Sequence, residues 1–261
     1  ASTTRQNWLK TPKPKKKNSQ HTAESGMKSN ATWRPFLKRC PLEILGALFR
    51  KETLTRNSDT DVDSIRKLKS GVIMKILALL GSPRKKGNTE TLLDQALEGV
   101  LEKLPNAEIK KVHLNDMTIV PCQSCGGCLK TGSCVRNDDM SDIYSDLGDS
   151  DILILASPVY FGMVSAQTKA VIDRCQCFWP GKYLLGKRLG DESKRKAAFI
   201  CASAMDRKDF FENSESVARN FFATVDFDYT GGEYFPTLEG KKDAAGKTEF
   251  LERAKGLGRK I

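Results

Sequence analysis

The chain has 261 residues, 29% of them charged, and a formal net charge of +11 at pH 7. Residues 1–73 contain 16 Lys and Arg against 6 Asp and Glu, whereas residues 74–261 contain 27 against 26. A near-neutral body, no secretory signal pattern and no apolar run near the roughly 20 residues of a membrane span predict a cytoplasmic protein without nucleic-acid partners.

The N-terminal residues 1–73 are polar, basic and poor in groups that could form a core, which predicts a disordered extension. Within it, residues 41–51 could form one short amphipathic helix. The alternative is a tail that contacts nucleic acid or a membrane. Residues 74–261 are expected to form the folded domain.

Strand and helix patterns alternate from residue 74 onward. The predicted strands are residues 74–80, 108–114, 151–156, 196–202 and 226–235, and the predicted helices are 89–104, 140–147, 165–175, 212–224 and 247–260. This alternation predicts an α/β fold, a doubly wound parallel sheet with helices on both faces. Ligands of such sheets bind beyond the carboxyl ends of the strands, where the strand order reverses.

The loop Gly81–Thr89, GSPRKKGNT, joins the first predicted strand to the first helix. Its backbone N–H groups, hydroxyls and cationic side chains would suit one phosphate monoester. The spacing fits neither the Walker pattern nor the G-x-G-x-x-G of dinucleotide sites. The alternative is an ordinary strand-to-helix turn.

The loop Ser157–Gly162, SPVYFG, follows the most apolar strand and precedes a helix that Ser165 can cap. Pro158 stiffens the exit and Gly162 permits backbone geometry closed to other residues. A planar heteroaromatic ring could lie against Tyr160 or Phe161. The alternative is a loop whose aromatic rings pack over the sheet edge.

Four cysteines lie within thirteen residues in the pattern C-x2-C-x2-C-x5-C: Cys122, Cys125, Cys128 and Cys134. Three thiolates at this spacing can reach three corners of a cubane cluster, while zinc more often takes two separated pairs. Free or redox-active thiols remain the other interpretation. Cys175 and Cys177 are interpreted as structural, and two histidines give little support to a His-dependent hydrolase.

Three motifs, GSPRKKGNT, SPVYFG and KAVIDR at residues 169–174, resemble the flavodoxin-like NAD(P)H-dependent FMN reductases. The cysteine pattern, followed by Asp138-Asp139-Met140, resembles the iron-sulfur flavoproteins, a branch of that superfamily. The resemblance implies a five-stranded parallel sheet of order 2-1-3-4-5 and a homodimer or homotetramer.

The resemblance also assigns cofactor-binding residues. The FMN phosphate would be held by Ser82, Arg84, Gly87, Asn88 and Thr89; the isoalloxazine would be wrapped by Pro158, Val159, Tyr160, Phe161 and Gly162; a [4Fe-4S] cluster would be held by Cys122, Cys125, Cys128 and Cys134. No side chain is assigned as a catalytic acid or base.

The expected function is therefore an FMN-dependent NAD(P)H oxidoreductase. It would pass electrons from NAD(P)H through FMN to a quinone, a flavin or a ferredoxin, directly or through the [4Fe-4S] cluster. The alternative is a flavodoxin-type electron carrier without a substrate of its own, which the near-neutral body disfavours because such carriers tend to be strongly acidic.

Overall fold

The computed structural model describes residues 73–261, so the expected N-terminal extension and its short helix at 41–51 lie outside the described residues. The strands are β1 Lys75–Leu80, β2 Glu108–His113, β3 Ile152–Tyr160, β4 Met163–Val164, β5 Lys196–Ala202 and β6 Asp228–Phe235. The helices are α1 Asn88–Lys103, α2 Cys128–Thr131, α3 Met140–Asp149, α4 Ala166–Arg174, α5 Phe178–Leu184, α6 Lys208–Thr224 and α7 Thr248–Arg259.

The sheet runs in the order β2-β1-β3-β5-β6, and every pair along this path is parallel. The short β4 lies off the path and pairs antiparallel with the end of β3. Once β4 is set aside, the order is the predicted 2-1-3-4-5, and the doubly wound fold is confirmed. The order reverses between β1 and β3, which places the expected ligand crevice at their carboxyl ends.

Both faces of β1 are buried, as expected for a central parallel strand. Ile76, Ala78 and Leu80 pack with α1 and α7 on one face. Leu77 and Leu79 pack with α3, α4 and α6 on the other. These two apolar layers hold the sheet between the helices. None of the helices within residues 73–261 is long and apolar enough to cross a membrane.

The third strand is longer than predicted. It was expected to end at Ala156, but β3 continues through the segment Ser157–Tyr160 that was predicted as a loop. Pairing explains the extension: Ser157 and Pro158 lie opposite Cys201 and Ala202 in β5, and β4 pairs with the strand end. The aromatic residues therefore stand on a hairpin rather than on an irregular loop.

The segment that follows α4 was also not predicted. Residues Cys175–Cys177 form a 3-10 turn that leads directly into α5. In addition, α6 begins at Lys208, whereas the predicted helix began at residue 212. Pro180 and Gly181 are residues that usually interrupt a helix, so the sequence predicts no helix here. In the structure both are buried within the helix Phe178–Leu184.

Candidate functional site

The turn from β1 to α1 presents free backbone donors. The first bond of α1 runs from the Thr91 N–H to the Gly87 carbonyl at 3.0 Å. The N–H groups of residues 88–90 therefore have no acceptor within the helix, which is the usual state of a helix N-terminus. Ser82 and Thr89 are buried beside these donors. Such an arrangement can bind an anion.

Two other predicted phosphate residues have different surroundings. Arg84 is exposed, and its guanidinium lies 3.5 Å from the Glu239 carbonyl. The Asn88 amide donates to the Gly240 carbonyl at 2.6 Å and accepts from the Ala244 N–H at 3.0 Å. The Asn88 side chain thus fastens the start of α1 to the 238–244 segment, which leaves its backbone N–H for a ligand.

Glu90 shapes the Gly81–Thr89 loop, and sequence reasoning missed it. Its carboxylate accepts from the Lys86 N–H at 2.5 Å and pairs with Lys111 at 3.1 Å. Burial opposes ionisation of Glu90, but the Lys86 N–H and the Lys111 ammonium outweigh it and lower the pKa of the carboxyl. An acid three residues after the N-cap Gly87 has the spacing of a capping box, and this signal could have identified it.

Buried hydroxyls join the ends of β1 and β3. The Ser165 hydroxyl donates to the Gly81 carbonyl at 2.7 Å, and the Ser165 N–H donates to the Ser157 hydroxyl at 3.0 Å. The Thr168 hydroxyl lies 3.2 Å from that of Ser157. Ser165 also caps α4, as predicted, by accepting from the Thr168 N–H. The Gly81–Thr89 loop and the β3–β4 hairpin are consequently held in one fixed relation.

The β3–β4 hairpin turns at Phe161 and Gly162, which have φ of 51° and 76°. The left-handed geometry predicted for Gly162 is therefore present, and Phe161 adopts it despite having a side chain. The aromatic rings do not pack over the sheet edge: Tyr160 is 44% exposed and Phe161 is fully exposed. Val159 pairs with Val164, so the strand end is held while its aromatic tip remains open.

The cysteine loop, which we define as residues 117–134, contains little regular structure besides α2. Cys122 and Cys125 are exposed, and Cys128 and Cys134 are partly buried. All four thiols are free. Three residues between Cys122 and Cys134 have positive φ, namely Ser124, Gly126 and Gly132, so the backbone turns sharply there. Within residues 73–261, no three His, Cys, Asp or Glu side chains are grouped closely enough to hold a metal ion.

The four thiols nevertheless influence one another's ionisation. Burial raises the pKa of Cys128, and the neighbouring Cys134, Cys122 and Cys125 raise it further. Burial also opposes ionisation of Cys134, but the Arg136 backbone N–H and the Arg174 charge outweigh it and lower the pKa of that thiol. The donor set is four free cysteine thiols on one loop that is held by the buried Arg174, and four thiolates are the ligands that an iron-sulfur cluster takes.

The cysteine loop is fastened on both sides of its thiols. Asp139 accepts from the Thr118 N–H at 2.7 Å, and Asp138 accepts from the Val120 N–H at 3.1 Å. Asp138 also pairs with Arg174, whose side chain is buried. These contacts bring the two ends of the loop together, and the Arg174 contact was not foreseen from the sequence.

Cys175 and Cys177 are buried, in keeping with their interpretation as structural. Burial raises the pKa of Cys177 to about 11, so this thiol stays protonated near neutral pH. The Tyr144 hydroxyl next to them donates to the Arg174 carbonyl at 2.8 Å. This group is connected to the cysteine loop through Arg174, which bonds to Val120 and Asp138.

Comparisons with known proteins identify the family of this chain. Residues 74–222 match the family described as NADPH-dependent FMN reductase. An iron-sulfur flavoprotein of Methanocaldococcus jannaschii is 32% identical over 195 residues, which cover 72% of this chain and 95% of that protein. An iron-sulfur flavoprotein of Archaeoglobus fulgidus is 44% identical over 116 residues, which cover 44% of this chain and about half, 51%, of that protein.

A solved structure shares the fold. An NAD(P)H:quinone oxidoreductase from Methanothermobacter marburgensis superposes with a TM-score of 0.56 at 19% identity, over 72% of this chain and 95% of the other. At that identity the likeness shows the fold alone. Together with the family match and the relatives, it leads to one conclusion. The chain belongs to the NADPH-dependent FMN reductase family of flavin oxidoreductases, in the branch of the iron-sulfur flavoproteins.

Proposed function

We propose that this chain is an NAD(P)H oxidoreductase that binds FMN across the carboxyl ends of β1 and β3. Its electrons would go to a quinone, a flavin or a ferredoxin, with a [4Fe-4S] cluster in the cysteine loop as their exit. The observation that carries the proposal is the bond between the Ser165 hydroxyl and the Gly81 carbonyl, because it unites a phosphate loop and an aromatic hairpin at the switch point of the sheet.

The phosphate of FMN would lie at the start of α1. The N–H groups of Asn88 and Thr89, with the Ser82 hydroxyl, provide neutral donors, and the helix dipole favours the negative charge. Arg84 is exposed at the rim and can fold over a bound dianion. Gly87 lies at the N-cap with extended geometry, and it has no Cβ that would separate the backbone from a bound phosphate.

The isoalloxazine would lie against the hairpin residues Pro158–Gly162. Tyr160 and Phe161 offer aromatic surface that would exclude water from one side of the ring. When bound, the flavin supplies the hydride chemistry with the nicotinamide and the release of electrons to the acceptor. The protein's own part is therefore orientation, and we assign no side chain as an acid or base.

The [4Fe-4S] cluster would be held by Cys122, Cys125, Cys128 and Cys134. Support comes from the four free thiols on one loop and from the three left-handed backbone positions between them. The family relatives carry the name iron-sulfur flavoprotein. Zinc and unliganded redox thiols are the alternatives that metal analysis would reveal.

Self-association would cover the exposed tip of the site. Phe161, Met163 and Met205 are large apolar side chains that are exposed near the expected flavin. A homodimer or homotetramer would bury them, since large apolar patches on a surface mark interaction sites. Light scattering of the purified protein tests this, and a monomer at micromolar concentration would contradict it.

A cysteine replacement separates the two cofactors. We expect Cys128→Ala to keep FMN but to lose the iron of the native protein after anaerobic reconstitution. The matched control is Cys201→Ala, because Cys201 is buried in β5 away from the cysteine loop. The control should keep both flavin and iron.

Steady-state kinetics distinguishes an oxidoreductase from an electron carrier. The native protein with FMN should consume NADPH or NADH continuously when a quinone is supplied. A single turnover without continued consumption, for both nicotinamides and for quinone and flavin acceptors, would support the carrier function instead.

A further inference from the structure

Arg174 contacts both sides of the cysteine loop from the end of α4. Its side chain is 1% exposed, and its Nη1 and Nη2 bind the two Asp138 carboxylate oxygens at 2.5 and 3.0 Å. Nη1 also donates to the Val120 carbonyl at 2.7 Å. One guanidinium therefore joins Val120, two residues before the first cysteine of the loop, to Asp138, four residues after the last.

These contacts leave one donor unused. The Arg174 Nε is buried and has no hydrogen-bond partner among residues 73–261. An unsatisfied buried donor, on a charged group in particular, is costly, so its presence needs an explanation. The clamp to Asp138 and Val120 uses only the two terminal nitrogens of Arg174. It therefore does not explain why Nε is buried.

The thiols of the loop that Arg174 clamps are the acceptors that a bound cluster would bring into use. Arg174 bonds to residues on both sides of these cysteines, and the Tyr144 hydroxyl donates to the Arg174 carbonyl at 2.8 Å, which fixes the end of α4 beside the loop. A thiol accepts weakly, but a thiolate that ligates iron carries negative charge and accepts well.

We propose that Arg174 is the positioning residue of the cluster: it clamps the ends of the cysteine loop, and its unused Nε donates a charged N–H···S hydrogen bond to a sulfur of the cluster. This inference rests on the proposed cluster in that loop. Hydrogen bonds to cluster sulfurs and nearby charge are among the features that set the reduction potential of an iron-sulfur centre. Arg174 would accordingly raise the potential and slow the loss of iron.

Three variants separate the clamp from the hydrogen bond to sulfur. Arg174→Lys keeps the charge but loses the planar fork, Arg174→Gln loses the charge, and Asp138→Asn weakens the clamp while leaving the guanidinium in place. The matched control is Arg195→Lys. Arg195 is equally a buried arginine, but its bonds go to the Ser150 and Val225 carbonyls. Bound FMN reports that each variant is folded.

Two measurements are made on anaerobically reconstituted protein: the rate of cluster bleaching by an iron chelator and the midpoint potential of the cluster. We expect Arg174→Lys and Arg174→Gln to bleach about 10- to 100-fold faster, the usual effect of an outer-shell change on a metal site. Their potentials should fall. Asp138→Asn should also bleach faster, but its potential should rise because a negative charge near the cluster is lost.

The outcomes distinguish this inference from the proposed function. A native cluster with Arg174 variants that match the native rate and potential would overturn the role of Arg174 alone. The proposal predicts that the midpoint potential shifts in opposite directions in Asp138→Asn and Arg174→Gln. Shifts in the same direction would mean that Arg174 acts only as a structural clamp, and they would also overturn the proposal. A native chain that binds FMN but no iron would overturn the cluster and this inference together.

Discussion

The Ser165 hydroxyl donates a 2.7 Å hydrogen bond to the Gly81 carbonyl across 84 positions of sequence. The bond joins the carboxyl end of β1 to the start of α4. Ser157 and Thr168 extend it into a buried network, so the two loops of the proposed flavin site cannot shift independently. Rigid support of this kind is what a cofactor site requires, because the cofactor carries the reaction and the protein carries the geometry.

Ser165→Ala tests this network. The change removes the cap of α4 and leaves the Gly81 carbonyl without its donor, so we expect a loss of about 1–2 kcal/mol in the free energy of unfolding. The affinity for FMN should also weaken. Urea unfolding and flavin titration measure the two effects. The control is Ser216→Ala on the exposed face of α6, which should change neither.

Gly81→Ala tests the close packing at the same point. A Cβ at Gly81 would overlap the Thr168 hydroxyl and lie 3.0 Å from the Ser165 hydroxyl. Overpacking of a tight site typically costs about 1–3 kcal/mol, and we expect that loss together with weaker FMN binding. Gly256→Ala in α7 is the matched control, since no atom lies within 4 Å of its Cβ. The control should be stabilised by up to about 1 kcal/mol; equal effects in both would contradict the packing argument.

The backbone of Phe161 carries strain at the mouth of the site. Its φ of 51° is unfavourable for any residue with a Cβ, by about 1–2 kcal/mol. Phe161→Gly should therefore be more stable to urea than Phe161→Ala, which lacks the ring but keeps the strain. Both should bind FMN more weakly and show lower kcat/KM for NAD(P)H. Native FMN affinity in both variants would remove Phe161 from the proposed site.

Alkaline pH should destabilise the protein through its buried thiols. Burial raises the pKa of Cys201 from 9.0 to about 12. Its contribution to stability is therefore complete below pH 9 and is lost between pH 9 and pH 12, where only the unfolded thiol ionises. One proton of difference gives a slope of about 1.4 kcal/mol per pH unit.

Cys201→Ala should flatten the pH dependence by about that slope. Some dependence would remain, because burial also raises the pKa of Cys177 to about 11. Urea unfolding at several pH values, with reductant present, measures the difference. An unchanged slope in Cys201→Ala would show that this thiol does not titrate differently in the folded and unfolded states.

The sequence predicted the elements whose signals are local. The apolar run of β1, the loop that begins at Gly81 and the periodicity of α1 agree with the structure to within a residue or two. The extension of β3 to Tyr160 was not predicted, because a proline such as Pro158 usually marks the end of a strand. Proline is tolerated there because β1 has already ended: the β1–β3 pairing stops at Ala156, so no donor is required on that side.

Contacts between distant segments were beyond sequence reasoning. Ser165 was foreseen as a helix cap, but its bond to Gly81 depends on how β1 and β3 pair. Likewise, KAVIDR was recognised as a motif without a role for its last residue. Only the fold places Arg174 between Val120 and Asp138, which are 54 and 36 residues away.

The most direct test is an anaerobic visible spectrum of the purified protein, with flavin, iron and sulfide determined on the same reconstituted sample. We expect one FMN per chain and about four irons with matching sulfide, as a single cubane cluster requires. FMN without iron or sulfide would leave a simple flavin reductase and make the cysteine loop a thiol or structural element. Absence of both flavin and iron after reconstitution would contradict the proposed function itself.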